Sequence, residues 1–102
     1  MNQYLTNEEI KKYLPEFIEI FKNRPIIDNI GGMGFNHSFG LFVILKNLGI
    51  NNIYESGIWK GNSTWIIENC FDNFKLTAID IDLSLREYIS DSKNVTYYEG
   101  DI

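Results

Sequence analysis

The chain has 102 residues, which allows at most one domain, and its 44% hydrophobic content is enough for a packed core. A formal net charge of −5, with the nine lysines and arginines scattered, provides no basic face, so we predict neither nucleic acid nor a membrane as partner. The single cysteine excludes an internal disulfide, and neither a signal peptide nor a membrane-spanning run is present, so we predict a cytoplasmic protein.

The first predicted element is an amphipathic helix. Thr6 is suited to be its N-cap, with Glu9 three residues later as in a capping box. Apolar residues recur at steps of three and four over residues 10–21, which predicts one buried face. Pro15 lies inside this run and leaves open a kink or two short helices, and Pro25 ends the segment.

A second helix follows a glycine-rich loop at residues 31–34. Asn36 or Ser38 is predicted to cap it, and Gly49 to stop it. Residues 1–49 therefore form the predicted N-terminal helical segment. The lone His37 near the start of this helix suits capping or packing better than catalysis.

The pattern then changes to alternating short strands and helices. The predicted order is β-α-β-α-β, with strands at 52–55, 75–79 and 94–98 and helices at 62–70 and 84–89. Short links in this order predict a parallel sheet with right-handed crossovers. Cys70 lies on the apolar side of the first of these helices, so we predict a small buried hydrophobe there.

Acidic or glycine residues end all three predicted strands: Glu55-Ser56-Gly57, Asp80 and Gly100-Asp101. Ligands of open parallel sheets lie outside the carboxyl ends of the strands, so these ends point to one crevice. Asp80 and Asp82 together with Asp101 offer too few ligands for a metal, and we predict none.

The turn after the first strand is suited to hold a nucleotide-like cofactor. Gly57 permits a sharp turn and a close ligand approach, and Gly61 permits close packing of the next helix, although a tight turn alone would also suit both glycines. The free N–H groups at residues 62–64 suit an anionic or polar group, while capping explains Ser63 without any nucleophilic role. Asp80 follows Gly57 at the distance expected of a ribose-binding carboxylate.

These residues carry a family resemblance. Residues 54–64, read as E-x-G-x-x-x-G-x-S-T, resemble the first motif of class I S-adenosylmethionine-dependent methyltransferases, in the variant of small-molecule and sugar O-methyltransferases and the cephalosporin hydroxylase group. Residues 78–82 resemble the second motif and residues 99–102 the third. The resemblance covers roughly residues 50–102, which would be the first half of a cofactor-binding Rossmann-like domain.

The resemblance implies an α/β fold, a three-layer Rossmann-like parallel sheet of which about three strands are present, preceded by two helices. It implies S-adenosylmethionine as cofactor, with Glu55 near its amino-acid end, Gly57 beneath it, Asp80 on the ribose diol and Asp101 at the adenine edge. Gly61 and Ser63 complete the predicted cofactor-binding set. Trp59 stands where many members have glycine, and an indole there either covers the cofactor or excludes it.

The resemblance thus implies methyl transfer to an oxygen of a small molecule or sugar, with no catalytic base assigned. An NAD-type oxidoreductase would require G-x-G-x-x-G, which Trp59 interrupts. The other alternative is a non-catalytic binding or assembly module that forms an oligomer through an open sheet edge. Because a doubly wound domain needs strands on both sides of its switch point, we expect the 102 residues alone to be inactive.

Overall fold

The computed structural model describes residues 6–100, which form a mixed α/β fold. Three helices and a three-stranded sheet follow one another in the order α1 (Asn7–Lys22), α2 (Phe35–Leu48), β1 (Asn52–Ser56), α3 (Asn62–Glu68), β2 (Lys75–Asp80) and β3 (Val95–Glu99). A short 3-10 turn, Leu83–Leu85, lies between β2 and β3. None of the helices in this part of the chain has the length and apolar character needed to cross a membrane.

The predicted capping box starts α1. Thr6 Oγ1 accepts from the Glu9 N–H at 3.2 Å, and the Thr6 N–H donates to Glu9 Oε1 at 2.9 Å. The helix continues unbroken through Pro15, so the alternative of two short helices is wrong. Its apolar face buries Tyr13 and Phe17, as the periodicity predicts.

The start of α2 differs from the prediction, whereas its end agrees. Gly34 is the N-cap and makes no side-chain cap, so a cap by Asn36 or Ser38 is wrong. Ser38 is fully buried instead, and its Oγ accepts from Asn62 Nδ2 at 3.3 Å. Gly49 adopts a left-handed φ of 63° and ends the helix, as predicted.

The sheet is parallel with strand order β1-β2-β3, which confirms the predicted fold class. The register aligns Glu55 with Ala78 and Asp80 with Glu99, so the carboxyl ends of the strands lie side by side. Helix α3 packs on β2, α2 packs on α3, and α1 packs on α2. The fully buried centre of this core includes Phe17, Phe42, Ile66 and Leu76.

Two predicted helices are shorter than expected. Helix α3 ends at Glu68 rather than Cys70, and Gly61, not a side chain, is its N-cap. The helix predicted over 84–89 is only the 3-10 turn, because the N–H groups of Glu87 and Tyr88 donate to the carbonyl of Lys60 instead of continuing a helix.

The two faces of the sheet are covered unequally. On one face, Ile53, Leu76 and Val95 occupy the same row, and Leu76 is fully buried. On the opposite face Tyr54 and Tyr98 are 71% and 57% exposed. Residues 6–100 therefore cover one face of this sheet and leave aromatic side chains exposed on the other.

Candidate functional site

A cleft of about 130 Å³ lies beside the carboxyl end of β1, and we call it the loop cleft. One wall is the loop after β1, residues 57–60, together with Asn62 and Ser63 at the start of α3. The facing wall belongs to the segment between α1 and α2, through Asn29, Gly32 and Met33. The predicted crevice is thus bordered by two loops that are distant in the sequence.

Gly57 lies at the turn that opens the loop cleft. Its φ is 85°, a left-handed value that favours glycine, and its N–H donates to the Ile79 carbonyl at 2.9 Å. Apart from Gly57 and its two chain neighbours, no atom of the described chain lies within 4 Å of the position that a Cβ would take. Gly57 therefore both makes the turn and leaves space above it.

Gly61 has a different role. Its φ is 105°, and an added Cβ would lie 2.5 Å from the Tyr88 carbonyl oxygen. The close contact is with the segment after β2, not with the loop cleft, which Gly61 does not line. Gly61 is therefore a packing glycine that lets residue 88 approach the start of α3.

Asp80 holds the loop after β1 in place. Its Oδ2 accepts hydrogen bonds from the N–H groups of Ile58 at 2.7 Å and Trp59 at 2.9 Å. Its Oδ1 accepts from the Asp82 N–H at 3.2 Å. These backbone bonds, that of Trp59 foremost, stabilise the carboxylate and hold the pKa of Asp80 below its ordinary value.

Glu55 connects β1 to the start of α3. Its two carboxylate oxygens accept from the hydroxyls of Ser63 and Thr64, the latter at 2.7 Å. Burial raises the pKa of Glu55 above its ordinary value, although both hydroxyl bonds oppose that shift. Ser63 in turn lines the loop cleft, so Glu55 orients one of the cleft's polar groups.

The Lys60 side chain joins the same loop to the segment between α1 and α2. Its Nζ donates to the Asp28 carbonyl at 2.8 Å and lies 3.4 Å from Glu87 Oε2. The ammonium is also 4.8 Å from the centroid of the Trp59 ring. Trp59 has a φ of 51°, which is unusual for a residue other than glycine, and its side chain remains 38% exposed at the rim of the cleft.

The structure brings most of the predicted residues together, but in different roles. Gly57 and Ser63 line the loop cleft, Glu55 reaches it through Ser63, and Asp80 reaches it through the loop that it holds. Gly61 faces away from it. Asp101 lies outside the described residues.

Several side chains that line the cleft were not among the residues predicted to form it. Asn29 and Met33 border it from the other loop, and the side chain of Asn62, a residue considered only for its cap position and its backbone N–H, is 8% exposed and lines the cleft. The Oδ1 atom of Asn29 is buried without a hydrogen-bond partner among the described residues. The glycine-rich run at 31–34 was the only sequence signal that this loop borders a site.

A second cleft, of about 280 Å³, adjoins the first, and we call it the helix cleft. Both clefts share Asn29, Met33 and Asn62. The rest of the lining comes from the end of α1 and the following loop: Phe21, Arg24, Ile26, Ile27, Ile30 and Gly34.

Two other residues considered from the sequence lie elsewhere. His37 is exposed on α2 and lines neither the loop cleft nor the helix cleft. Cys70 is 2% exposed, and burial raises the pKa of its thiol to about 12. Such a thiol is protonated at neutral pH, which fits the predicted buried hydrophobe.

Comparison of the chain with protein-family models, with curated proteins and with solved structures found no match.

Proposed function

We propose that this chain is the cofactor-binding part of an S-adenosylmethionine-dependent methyltransferase that acts on an oxygen of a small molecule or sugar. The observation that carries the proposal is the open space above Gly57, at the edge where the strands of a parallel sheet end. The free Cys70 thiol is compatible with the reducing cytoplasm in which we expect the protein.

The residues of the loop cleft fit one end of such a cofactor. The empty position above Gly57 would take a group that approaches the backbone closely, and Ser63 and Asn62 offer polar atoms beside it. At about 130 Å³ the loop cleft would take the amino-acid end, and the ribose would extend past Asp80. The cofactor supplies an activated methyl group, and the protein supplies proximity and alignment.

Asp80 has a limited capacity for the ribose. An ionised carboxylate offers about four lone-pair sites, and three already accept the N–H groups of Ile58, Trp59 and Asp82. One ribose hydroxyl could therefore bind Asp80 without releasing the loop, whereas a second would compete with a loop bond. Cofactor binding and loop position would then be coupled.

Titration calorimetry with S-adenosylhomocysteine and with NAD tests the proposal. We expect the 102-residue chain to bind S-adenosylhomocysteine more tightly than NAD. Asp80→Ala should weaken that binding by roughly 1.5–3 kcal/mol, the range for hydrogen bonds to a charged group. The matched control, Asp82→Ala, should have much less effect because the Asp82 carboxylate accepts from the Ser84 N–H in its own turn.

Two results would contradict this proposal. One is binding of NAD without binding of S-adenosylhomocysteine. The other is a larger loss of affinity in Asp82→Ala than in Asp80→Ala, since the ribose would then not lie at the end of β2.

One observation favours a second candidate, a non-catalytic assembly module. Tyr54 and Tyr98 are exposed on the uncovered face of the sheet, and β1 and β3 each have one unpaired edge among the described strands. Gel filtration separates the candidates: an assembly module should elute as an oligomer even without cofactor, and substitution of both tyrosines by serine should return it to a monomer.

A further inference from the structure

The helix cleft combines apolar walls with a single charged group. Ile26 is 1% exposed and forms part of its buried lining. Ile27 and Ile30 border it but are 71% and 85% exposed, so their side chains have apolar surface that the described chain leaves uncovered. A ligand with an apolar body would cover that surface and be stabilised by its burial.

Arg24 is the only charged residue in the described lining of this cleft. Its guanidinium lies 4.3 Å from the centroid of the Phe21 ring, and its Nη1 donates to the Phe21 carbonyl at 3.0 Å. No carboxylate among residues 6–100 forms an ion pair with it. A guanidinium has five N–H donors, so it could still bind an anionic group in a charge-assisted manner.

The amide groups of the lining lie where the helix cleft adjoins the loop cleft. Asn29 and Asn62 belong to the lining shared with the loop cleft, whereas Arg24 and Phe21 line the helix cleft alone. A ligand in the helix cleft would therefore meet the cation at one end and the amide groups, next to the loop cleft, at the other. A volume of about 280 Å³ suits a single ring, because clefts for drug-sized ligands begin near ~300 Å³.

We propose that the helix cleft binds a small aromatic carboxylic acid that bears a hydroxyl group, with its carboxylate on Arg24 and its hydroxyl toward Asn62. Its role as methyl acceptor rests on the proposed function, whereas its binding does not. In the transfer, the hydroxyl oxygen forms the new bond to the methyl carbon, and the carbon–sulfur bond of the cofactor breaks with its electron pair left on sulfur. The hydroxyl proton passes to water.

The charge and shape of the cleft decide between ligand classes. With no acidic residue in its described lining, the cleft offers no opposite charge to an ammonium group. A sugar would leave the isoleucine surface in contact with hydroxyl groups rather than with an apolar ring, and would gain little from its burial. An aromatic acid satisfies both the apolar walls and Arg24.

Ligand-observed NMR titration of the 102-residue chain tests the assignment with 4-hydroxybenzoate as probe, against 4-hydroxybenzylamine and glucose. We expect 4-hydroxybenzoate to bind and the other two to bind at least about 10-fold more weakly, since only the acid can form the charge-assisted bond. Equal affinities for the acid and the amine would overturn the proposal.

Two variants and one control locate the binding. Arg24→Gln should weaken 4-hydroxybenzoate binding about 10-fold or more, and Ile30→Ser about 3- to 10-fold. Ile81→Ser is the matched control, because Ile81 is 72% exposed and does not line the helix cleft. If Arg24→Gln disturbs the fold, Ile30→Ser decides, and unchanged affinity in a folded Ile30→Ser variant would overturn the assignment.

The same titrations repeated with S-adenosylhomocysteine separate this inference from the proposed function. Binding of S-adenosylhomocysteine without binding of 4-hydroxybenzoate would overturn the aromatic-acid site and leave the methyltransferase proposal in place. Binding of 4-hydroxybenzoate without S-adenosylhomocysteine would support the site and overturn its role as the acceptor position.

Discussion

Two loops border the loop cleft, and they differ in the number of hydrogen bonds that join them to other parts of the described chain. The loop of residues 57–61, which we call the tied loop, is bound by Asp80 through two N–H groups, and the Lys60 carbonyl accepts two more bonds from residues 87 and 88. The loop of residues 25–34, which we call the inter-helix loop, has one hydrogen bond to a distant part of the described chain, from Lys60 to the Asp28 carbonyl.

The difference indicates a division of roles. The tied loop presents backbone and polar groups in a set geometry, which suits the recognition of a cofactor common to many reactions. The inter-helix loop presents exposed isoleucines, whose apolar surface suits a variable ligand. Substitutions in the two loops should therefore have effects of different size on stability.

The largest effect is expected from Gly61→Ala in the tied loop. The new Cβ would meet the Tyr88 carbonyl oxygen at 2.5 Å while the residue keeps a φ of 105°. Strain and overpacking together should lower the free energy of unfolding by about 2–4 kcal/mol, measured by urea denaturation.

Gly40→Ala serves as the control for that substitution. Gly40 lies within α2, and apart from its chain neighbours and the backbone of its own helix no atom of the described chain lies within 4 Å of its Cβ position. Alanine there should raise stability by up to about 1 kcal/mol. A Gly61→Ala variant as stable as the parent would show that residue 88 does not press against the tied loop.

Asp80→Ala should have an intermediate effect on stability. It removes the acceptor of three backbone N–H groups, two of them in the tied loop, and partial exposure of the carboxylate reduces the cost to about 1–2 kcal/mol. Ile30→Ser in the inter-helix loop should change stability by no more than about 0.5 kcal/mol, because the side chain is already exposed. Equal losses of stability in Asp80→Ala and Ile30→Ser would contradict the distinction between the tied loop and the inter-helix loop.

The loss of stability caused by Asp80→Ala should also depend on pH. Because the folded-state pKa of Asp80 is lowered, its contribution is present above the ordinary carboxyl pKa and is lost as the pH falls through the lowered value. The gap in unfolding free energy between the parent and Asp80→Ala should therefore close in acid. A gap that stays constant with pH would mean that the carboxylate charge does not hold the tied loop.

Local patterns in the sequence were enough to predict the fold. Thr6 and Glu9 are three residues apart, and the resulting capping box depends on nothing beyond the first turn of α1. Apolar periodicity likewise identified α1 to α3 and the three strands, although it also predicted a helix over 84–89 where only a 3-10 turn forms, and the order of the elements predicted the parallel sheet. Gly49 and Gly57 could be placed because left-handed turns favour glycine wherever they occur.

The contacts that build the site could not be read in this way, because they join distant segments. Asp80 meets the N–H of Ile58 across 22 positions, and Asn62 meets Ser38 across 24. Ser38 was predicted as a cap from its local position, but the packing of α2 against α3 buries it. Their polar residue types indicated that these side chains would need hydrogen-bond partners. Only the tertiary structure identifies those partners.

The central claim is that a sulfonium-type cofactor binds at the loop cleft, and mapping of amide shifts by NMR tests it most directly. On addition of S-adenosylhomocysteine, we predict saturable shifts at the amides of Gly57, Trp59 and Ser63, which line the cleft. The amides of Gly40 and Gly49, which do not line it, should stay unchanged. Saturable binding that shifts Gly40 and Gly49 while Gly57 and Ser63 stay fixed would contradict the account.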